Sequence, residues 1–591
     1  GNPLAKDTPS RGFMVGPPEV NYDIDTREAT NRATASVTVT HRPMSWLTQR
    51  LVTGVDWTDE KSSTFHPRLP EGSPAFYAGN STGRKALTNS RTLNQTFDYN
   101  ITATRDITAD WNSSTSFGAQ YFTRETASGT ADGQQMPTPA VSTVSAAAQR
   151  SGSESFSENK TFGVFVQETI GWRNQAFVTA ALRADANSAF GESFDAAYYP
   201  KLSGTWVVSD AAFWNVGLVD NLKLRAAWGR SGLQPSAFAK FRTYNPITGP
   251  GDLPAVTPGN VGNPDLKPEV GQELELGFDA GLLGNRVIVE FTHYRQTTSD
   301  VILSERVAPS LGFAGERDVN AGRVSNQGYE LRVETTPIQT QSVSLNIGGS
   351  VAYTKNKLVD LGGRRVQADT RGRWQHIEGL PLGAMHTKYI ATAEWGPNNR
   401  LINVTCKGPA PDFTPMPCAQ APFHFYGRPD PGITGSVTNL LSIGSSLTFS
   451  ALWMVVADSR RFNTTEWYRD NTQRNSLAYQ QFVQATIDPI TAASMTTADV
   501  EYRYFERDDF VKLREVSASY SLPSSLVTRF GASRASVMVT GRNLFTWAHP
   551  SFRASGLDPE TKANRSAPWP GWQQTRSPIP HSIVTTMRVT F

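Results

Sequence analysis

The chain has no run of about 18 apolar residues, so it holds no ordinary transmembrane helix. That absence leaves a transmembrane barrel open, because a barrel is written in short alternating segments with polar residues on the lumen side. Mean hydropathy is −0.39, and nothing in the composition resembles a helical membrane protein. An excess of charge of one sign is missing too. The 56 Lys and Arg nearly balance the 53 Asp and Glu, for a net +3, and no basic stripe is offered to nucleic acid. Cysteine is almost absent: Cys406 and Cys418 stand close together in a Pro-rich stretch. Their spacing fits neither CxxC nor a zinc motif, and no His lies between them. A metal or redox pair therefore gives way to a loop disulfide in an oxidising compartment. A charged-then-apolar leader is missing from the opening GNPLAKDTPSRG, so the expectation is a removed signal or the C-terminal piece of something longer. Nucleophile motifs are missing as well. The eight His are scattered, none in a recognisable pairing with Ser or Cys, and no enzyme is expected.

What is present is alternation. In the last stretch Ile583, Thr585, Met587, Val589 and Phe591 share one face, and Val584, Thr586, Arg588 and Thr590 the other. A period of two with one mostly apolar face is a half-buried β-strand. Similar segments recur in pairs: Ala33–Pro43 with Leu47–Glu60, Leu93–Asp106 with Trp111–Thr123, Phe162–Trp172 with Gln175–Asn187, and Ala196–Ser209 with Leu222–Gly232. Gly271–Ala280 with Arg286–Thr298 and Arg323–Thr336 with Gln341–Lys357 continue the series. Gly432–Leu441, Ser446–Asp458, Phe510–Leu522, Ala535–Phe545 and the terminal strand complete it. The total is about 17 strands, each near or above the ~9–11 residues that a tilted strand needs to cross a bilayer.

The connections sort by parity. One set is short: 43–46, 107–110, 173–174, 281–285, 337–340 and 442–445. The other is long: 61–92, 124–161, 233–270, 299–322, 358–431, 459–509 and 546–580. Short turns at one end and long loops at the other describe an outer-membrane barrel. A soluble sandwich or propeller has no reason to sort its loops this way. The expected fold class is therefore all-β, a transmembrane antiparallel β-barrel, with long loops extracellular and Phe591 at the periplasmic side.

At Gly262–Val270, GNPDLKPEV followed by GQELELGFDAGLLGNRVIVEFTHY resembles the barrel of SusC/RagA-type TonB-dependent outer-membrane transporters. NSAFG (187–191), YYPKLSGTWVVSD (198–210), LKLRAAWGRSG (222–232) and NAGRVSNQGYEL (320–331) match in the same order. FVKLREVSASYSLP (510–523), GRNLFTW (541–547) and SGLDPE (555–560) follow. The resemblance implies a barrel of about 22 strands around an N-terminal plug. It also implies a SusD-like lipoprotein lid and energy delivered by the TonB complex through a box upstream of the plug. Its substrates are oligosaccharides or peptides. The plug, the TonB box, any N-terminal extension and the first strands have no counterpart in this sequence. Residues 1–591 are thus expected to be the C-terminal part of such a barrel. A passive porin, a surface structural or adhesive barrel and a soluble β-rich binding protein are the rival readings.

Candidate residues follow from position. Trp374, Trp395, Trp467, Trp569 and Trp572 lie in long loops, where an indole can stack on a sugar ring or a peptide side chain or simply pack the loop. Trp46, Trp111, Trp172, Trp214 and Phe591 lie by the short turns and read as a periplasmic aromatic girdle, while outer-membrane lipid and lipopolysaccharide are expected to surround the barrel. No cofactor is expected, although the run ERDD at Glu506–Asp509 offers oxygens for a structural Ca²⁺. A solvated strand end is the preferred reading of that run. Glu273, Glu275 and Asp279 fall on one strand face and read as inward lumen residues.

Overall fold

The computed structural model describes residues 24–69, 82–191, 196–313, 315–363, 372–550, 557–561, 572–573 and 579–591. A 17-stranded sheet dominates it. β1 (Asp25–Met44), β2 (Leu47–His66), β3 (Arg84–Asp106), β4 (Trp111–Gln134) and β5 (Gln149–Trp172) are 20 to 24 residues long. β6 (Ala176–Asn187), β7 (Ala197–Val207), β8 (Val219–Leu233), β9 (Glu269–Leu282), β10 (Val287–Ser299), β11 (Arg323–Gln339) and β12 (Val343–Asp360) follow. β13 (Ile433–Ile443), β14 (Leu447–Ala457), β15 (Phe510–Ser521), β16 (Arg534–Ala548) and β17 (Ser582–Thr590) end the series. Every strand pairs antiparallel with its neighbour in chain order, an up-and-down meander.

The expected strand pairs are all present, and the turns explain why. Between β5 and β6, Arg173 and Asn174 both take positive φ, 51° and 55°, and Gln175 N donates to Trp172 O at 2.9 Å. Two left-handed residues in succession match the right-handed twist of the strands they join. The pleat then sends apolar side chains outward. Phe278, Phe291, Leu331 and Val351 form one continuous rung across β9, β10, β11 and β12, with Phe278 and Phe291 rings 5.7 Å apart. The inward face of these strands carries Asp279, Glu290 and Arg332, and that of the neighbouring β8 carries Lys223 and Arg225. An apolar exposed face with a charged enclosed one inverts a soluble protein and is what lipid surroundings require.

Two expectations about the loops need correction. First, β2–β5 continue well into the stretches 61–92 and 124–161 read as loops. At ~3.4 Å per residue a strand as long as β4 or β5 has a contour near 80 Å, far beyond the ~9–11 residues that cross a bilayer. The added segments, TRETASGTADGQ in β4 and QRSGSESFSENK in β5, are polar on both faces, so no alternation announces them. Second, 372–427 and 459–508 are folded. Trp374–Gln375, Ala384–Thr387 and His424–Gly427 make one small sheet, and Ile390–Trp395, Leu401–Lys407 and Pro415–Met416 another. Three short helices follow, α1 (Thr464–Asn471), α2 (Leu477–Val483) and α3 (Pro489–Thr496). Each starts on a side-chain cap: Asn463 accepts from Glu466 N, Ser476 from Tyr479 N, and Asp488 from Thr491 N ahead of Pro489.

Candidate functional site

The inward face builds the candidate site from ion pairs. On β8, Lys223 and Arg225 both reach Asp279 of β9, at 2.6 and 2.7 Å. On β11, Arg332 bridges Glu290 of β10 at 3.5 Å and pairs with Glu334 of its own strand. Higher up, Glu273, Gln296, Asn326 and Asn356 hand hydrogen bonds from strand to strand. Between these rows lies a cavity of about 610 Å³, whose wall includes Arg225, Glu290, Glu330, Arg332, Ser436 and Arg514. Charges of both signs line it, and among the described residues no aromatic ring does.

A described piece of the last long loop, 557–561, reaches the rim of this cavity through Arg514. Lys512 on β15 is fully buried and holds Glu560 at 2.5 Å and Asp558 at 3.4 Å. Arg514, at a bulge in the same strand, also pairs with Glu560 and donates to Asn543 at 2.8 Å. The bulge supplies the geometry: the register shifts between Leu513 and Glu515, and Arg514, left out of the pairing between them, reaches the loop. Sequence reading missed these residues. Only the family resemblance of SGLDPE and FVKLRE hinted at them, since a contact across 46 to 48 residues leaves no periodicity.

Three of the other family-matching strings meet in one clasp at the long-loop end. Gly191 N of NSAFG donates to Leu266 O of NPDLKP at 2.9 Å, and a Cβ on Gly191 would sit 2.3 Å from Pro264 O. Asn320 of NAGRVSN donates to Lys267 O and accepts from Lys267 N, both at 2.8 Å. Gly322 takes φ +85°, and a Cβ there would meet Asp360 O at 2.4 Å. Glycine stands at both positions because the backbones approach too closely for a side chain.

The loop residues singled out from sequence divide. Trp374 is fully buried, edge-on to Phe462 at 5.6 Å and Phe505 at 6.2 Å, in a core shared with Met385 and Tyr504. It offers no face to a solute, which removes it from the stacking candidates. Apolar burial of an indole outweighs exposure wherever a loop is long enough to fold on itself. Trp467 packs against that same core, and Trp395 packs on Phe482 while its Nε1 donates to Ile487 O at 2.9 Å. Trp572 lies in a short strand parallel to Phe462–Asn463, and Trp569 lies outside the described residues. Cys406 and Cys418 form a disulfide with Cα atoms 4.8 Å apart, inside a second core with Ile390, Ala421, Ala493 and Val500.

At the short turns, Trp111 and Trp172 face each other in register with rings 6.4 Å apart. Arg105 lies over the Trp46 ring at 4.1 Å, Trp214 Nε1 donates to Val219 O, and Phe591 follows β17 fully exposed. All five are at one end.

The ERDD run does not gather its oxygens. Asp508 pairs with buried Arg461 at 2.9 Å, Asp509 with Arg507, and Glu506 Oε1 accepts from Asn463 at 3.0 Å. Among the described residues no group of three or more His, Cys, Asp or Glu is arranged to hold a metal ion. Glu506 Oε2 is buried without a hydrogen-bond partner, and burial pushes its carboxyl up to about 7. Burial likewise lowers His386, whose Nδ1 lies 2.9 Å from Ala384 O, and raises the Tyr389 phenol to about 12. These are packing effects in a folded loop domain rather than an acid–base pair.

A family model described as TonB dependent receptor-like, beta-barrel, matches residues 3–414. TonB-dependent receptors P26 and P39 of Formosa agariphila are each 23% identical to this chain, over 464 and 475 residues. Each match covers 71% of this chain and 45% of the relative, so the chain spans less than half the length of the curated relatives it matches. Among solved structures, the RagAB peptide transporter superposes with a TM-score of 0.82 at 17% identity, over 97% of this chain and 63% of that one. That likeness is one of fold. The chain belongs to the TonB-dependent receptor-like β-barrel family, a family of outer-membrane receptors and not of enzymes.

Proposed function

We propose that this chain forms barrel wall and outer loops of an active importer that takes up peptides, or oligosaccharides, through its lumen. The observation that carries the reading is the lumen cavity, walled by Arg225, Glu290, Glu330, Arg332 and Arg514. Guanidinium and carboxylate groups together suit the charged termini and side chains of a short peptide. A sugar ring would call for an aromatic platform, which this wall lacks. The RagAB structures, described as those of a peptide transporter and importer, support the same substrate class. In this reading the long loops face outward, the aromatic girdle and Phe591 face the periplasm, and a SusD-like lipoprotein docks on the folded loops. The TonB complex supplies energy through a plug.

The test is uptake of a labelled acidic–basic peptide mixture and of neutral oligosaccharides by cells with and without TonB. Peptide uptake should need TonB and should fall about tenfold in an Arg332→Ala, Glu330→Ala variant, the ~1.4 kcal/mol equivalent of one charge-assisted hydrogen bond. Flux that persists without TonB would replace this reading with a passive channel.

A further inference from the structure

The outward face of β10, β11 and β12 changes character within two residues. His293, Tyr329 and Tyr353 form one rung, with the His293 and Tyr329 rings 4.9 Å apart. Below them the face is apolar: Phe291, Leu331 and Val351. The next rung toward the long-loop end is Arg295, Gln327 and Lys355, and the one after is Thr297, Ser325 and Lys357. Arg323 stands one step further along β11. Together these side chains line a shallow outer pocket of about 510 Å³. Arg230 on β8 extends the row, donating to Gln272 of β9.

All four cations of the pocket are exposed. Among the described residues none of them lies within ion-pair distance of a carboxylate. Asp360, opposite Arg323 in the register, instead accepts from the amide of Gly362 at 2.7 Å. The contrast with another outward cation is direct, since Lys160 on β5 has Glu158 at 2.8 Å. Four like charges crowded on three adjacent strands repel one another unless an anion answers them. Their height identifies the anion. Two residues along a strand tilted by roughly 45° rise about 5 Å above the aromatic rung, which places the cations at the level of lipid headgroups.

We propose that Arg295, Arg323, Lys355 and Lys357 form a binding site for the phosphate groups of an outer-leaflet glycolipid. Gln327, Thr297 and Ser325 supply hydroxyl and amide contacts, and the Tyr329–Tyr353 rung and the apolar wall below receive the acyl chains. The site rests on the outer-membrane reading and on long loops facing outward, but not on any substrate.

The experiment is native mass spectrometry of the protein extracted from its own outer membrane. Three probes are exchanged in: bis-phosphorylated lipid A, the same lipid A dephosphorylated, and phosphatidylethanolamine. The wild-type protein should retain the phosphorylated lipid through detergent exchange and lose the other two. The variant Arg295→Gln, Arg323→Gln, Lys355→Gln, Lys357→Gln should retain at least about fivefold less, since one cation near an anionic surface is worth about that factor. The Lys355→Gln, Lys357→Gln pair should fall between the two, and Lys160→Gln should match wild type. Heat-modifiable migration on gels checks that each barrel is folded. Equal retention by the fourfold variant, or equal retention of dephosphorylated lipid A, overturns the proposal. Loss of TonB-dependent uptake with lipid retention intact would count against the importer reading alone.

Discussion

Replacing Glu506 by Gln tests whether the long loops are a folded domain with its own energetics. Glu506 lies in the strand Phe505–Arg507, which pairs with Arg460–Asn463 beneath α1. Its Oε1 accepts from Asn463, its Oε2 is buried without a hydrogen bond, and nearby Glu466 opposes its charge while Arg461 and Arg503 relieve it. Burial therefore raises the carboxyl from an ordinary 4.5 to about 7 in the folded loop. The folded state then binds more protons than the unfolded one between those values, so local stability falls as pH rises from about 4.5 to about 7 and is flat outside that window. A displacement of this size corresponds to roughly 3 kcal/mol as an upper figure, at about 1.4 kcal/mol per tenfold. Glutamine keeps the acceptor for Asn463 and cannot ionise. Glu506→Gln should therefore leave amide protection of 460–463 and 505–507 unchanged at pH 4.5 and raise it at pH 8 by about 1–3 kcal/mol. Hydrogen exchange followed by mass spectrometry, corrected for intrinsic rates, reads this directly. Wild-type protection that is flat between pH 4.5 and 8, or a variant that matches wild type at pH 8, refutes the reasoning.

Other consequences reach different parts of the chain. Lys512→Met takes the buried cation away from Asp558 and leaves Glu560 with Arg514 alone, and breaking a buried pair from one side costs about 3–5 kcal/mol. The last loop should then be cut by protease between 549 and 581 while the barrel stays heat-modifiable; an intact loop would show that the pair does not hold it. Gly191→Val drives a side chain into Pro264 O and should destabilise the clasp by about 1–3 kcal/mol, seen as faster exchange across 262–269. Reducing Cys406–Cys418 opens a loop with a separation of 12 residues, and by chain entropy this costs about 3 kcal/mol. Limited proteolysis within 407–417 should appear only with reductant. Removing 372–427 takes Trp374 and Met385 out of the loop core and should lower uptake without preventing barrel assembly; unchanged uptake would rule out these loops as the capture surface.

The sheet was legible because its two requirements act on adjacent residues. A strand that faces lipid on one side and a polar lumen on the other must alternate, and alternation survives in a bare sequence. Leu274, Leu276 and Phe278 against Glu273, Glu275 and Asp279 announce β9, and the paired register repeats that split. Where the requirement lapses, so does the signal. The upper halves of β4 and β5 stand clear of any bilayer, carry Thr, Ser, Gly and Glu on both faces, and were read as loops. The helices were equally silent: α1, α2 and α3 have at most eight residues, too few for a 3.6-residue period to repeat.

The site was legible only as recurring strings, and the reason lies in how its residues meet. NSAFG, NPDLKP and NAGRVSN lie about 60 to 130 positions apart along the chain, yet close on each other through backbone amides, two glycines and the side chain of Asn320. Such contacts need particular residues but impose no spacing, so composition and periodicity pass over them. Aromatic content misleads for the complementary reason. Trp374 and Trp111 are the same residue type in connections of opposite parity, yet one is sealed in a loop core and the other is exposed at a turn. Parity assigns the end of the barrel; burial depends on whether the loop has enough apolar partners to close over the ring. Trp374 has Phe462, Phe505, Met385 and Tyr504, drawn from segments as much as 130 residues apart. Long loops that assemble such a core fold into a rim of their own, and beside it Lys512 and Arg514 of β15 hold Asp558 and Glu560 above a charged lumen.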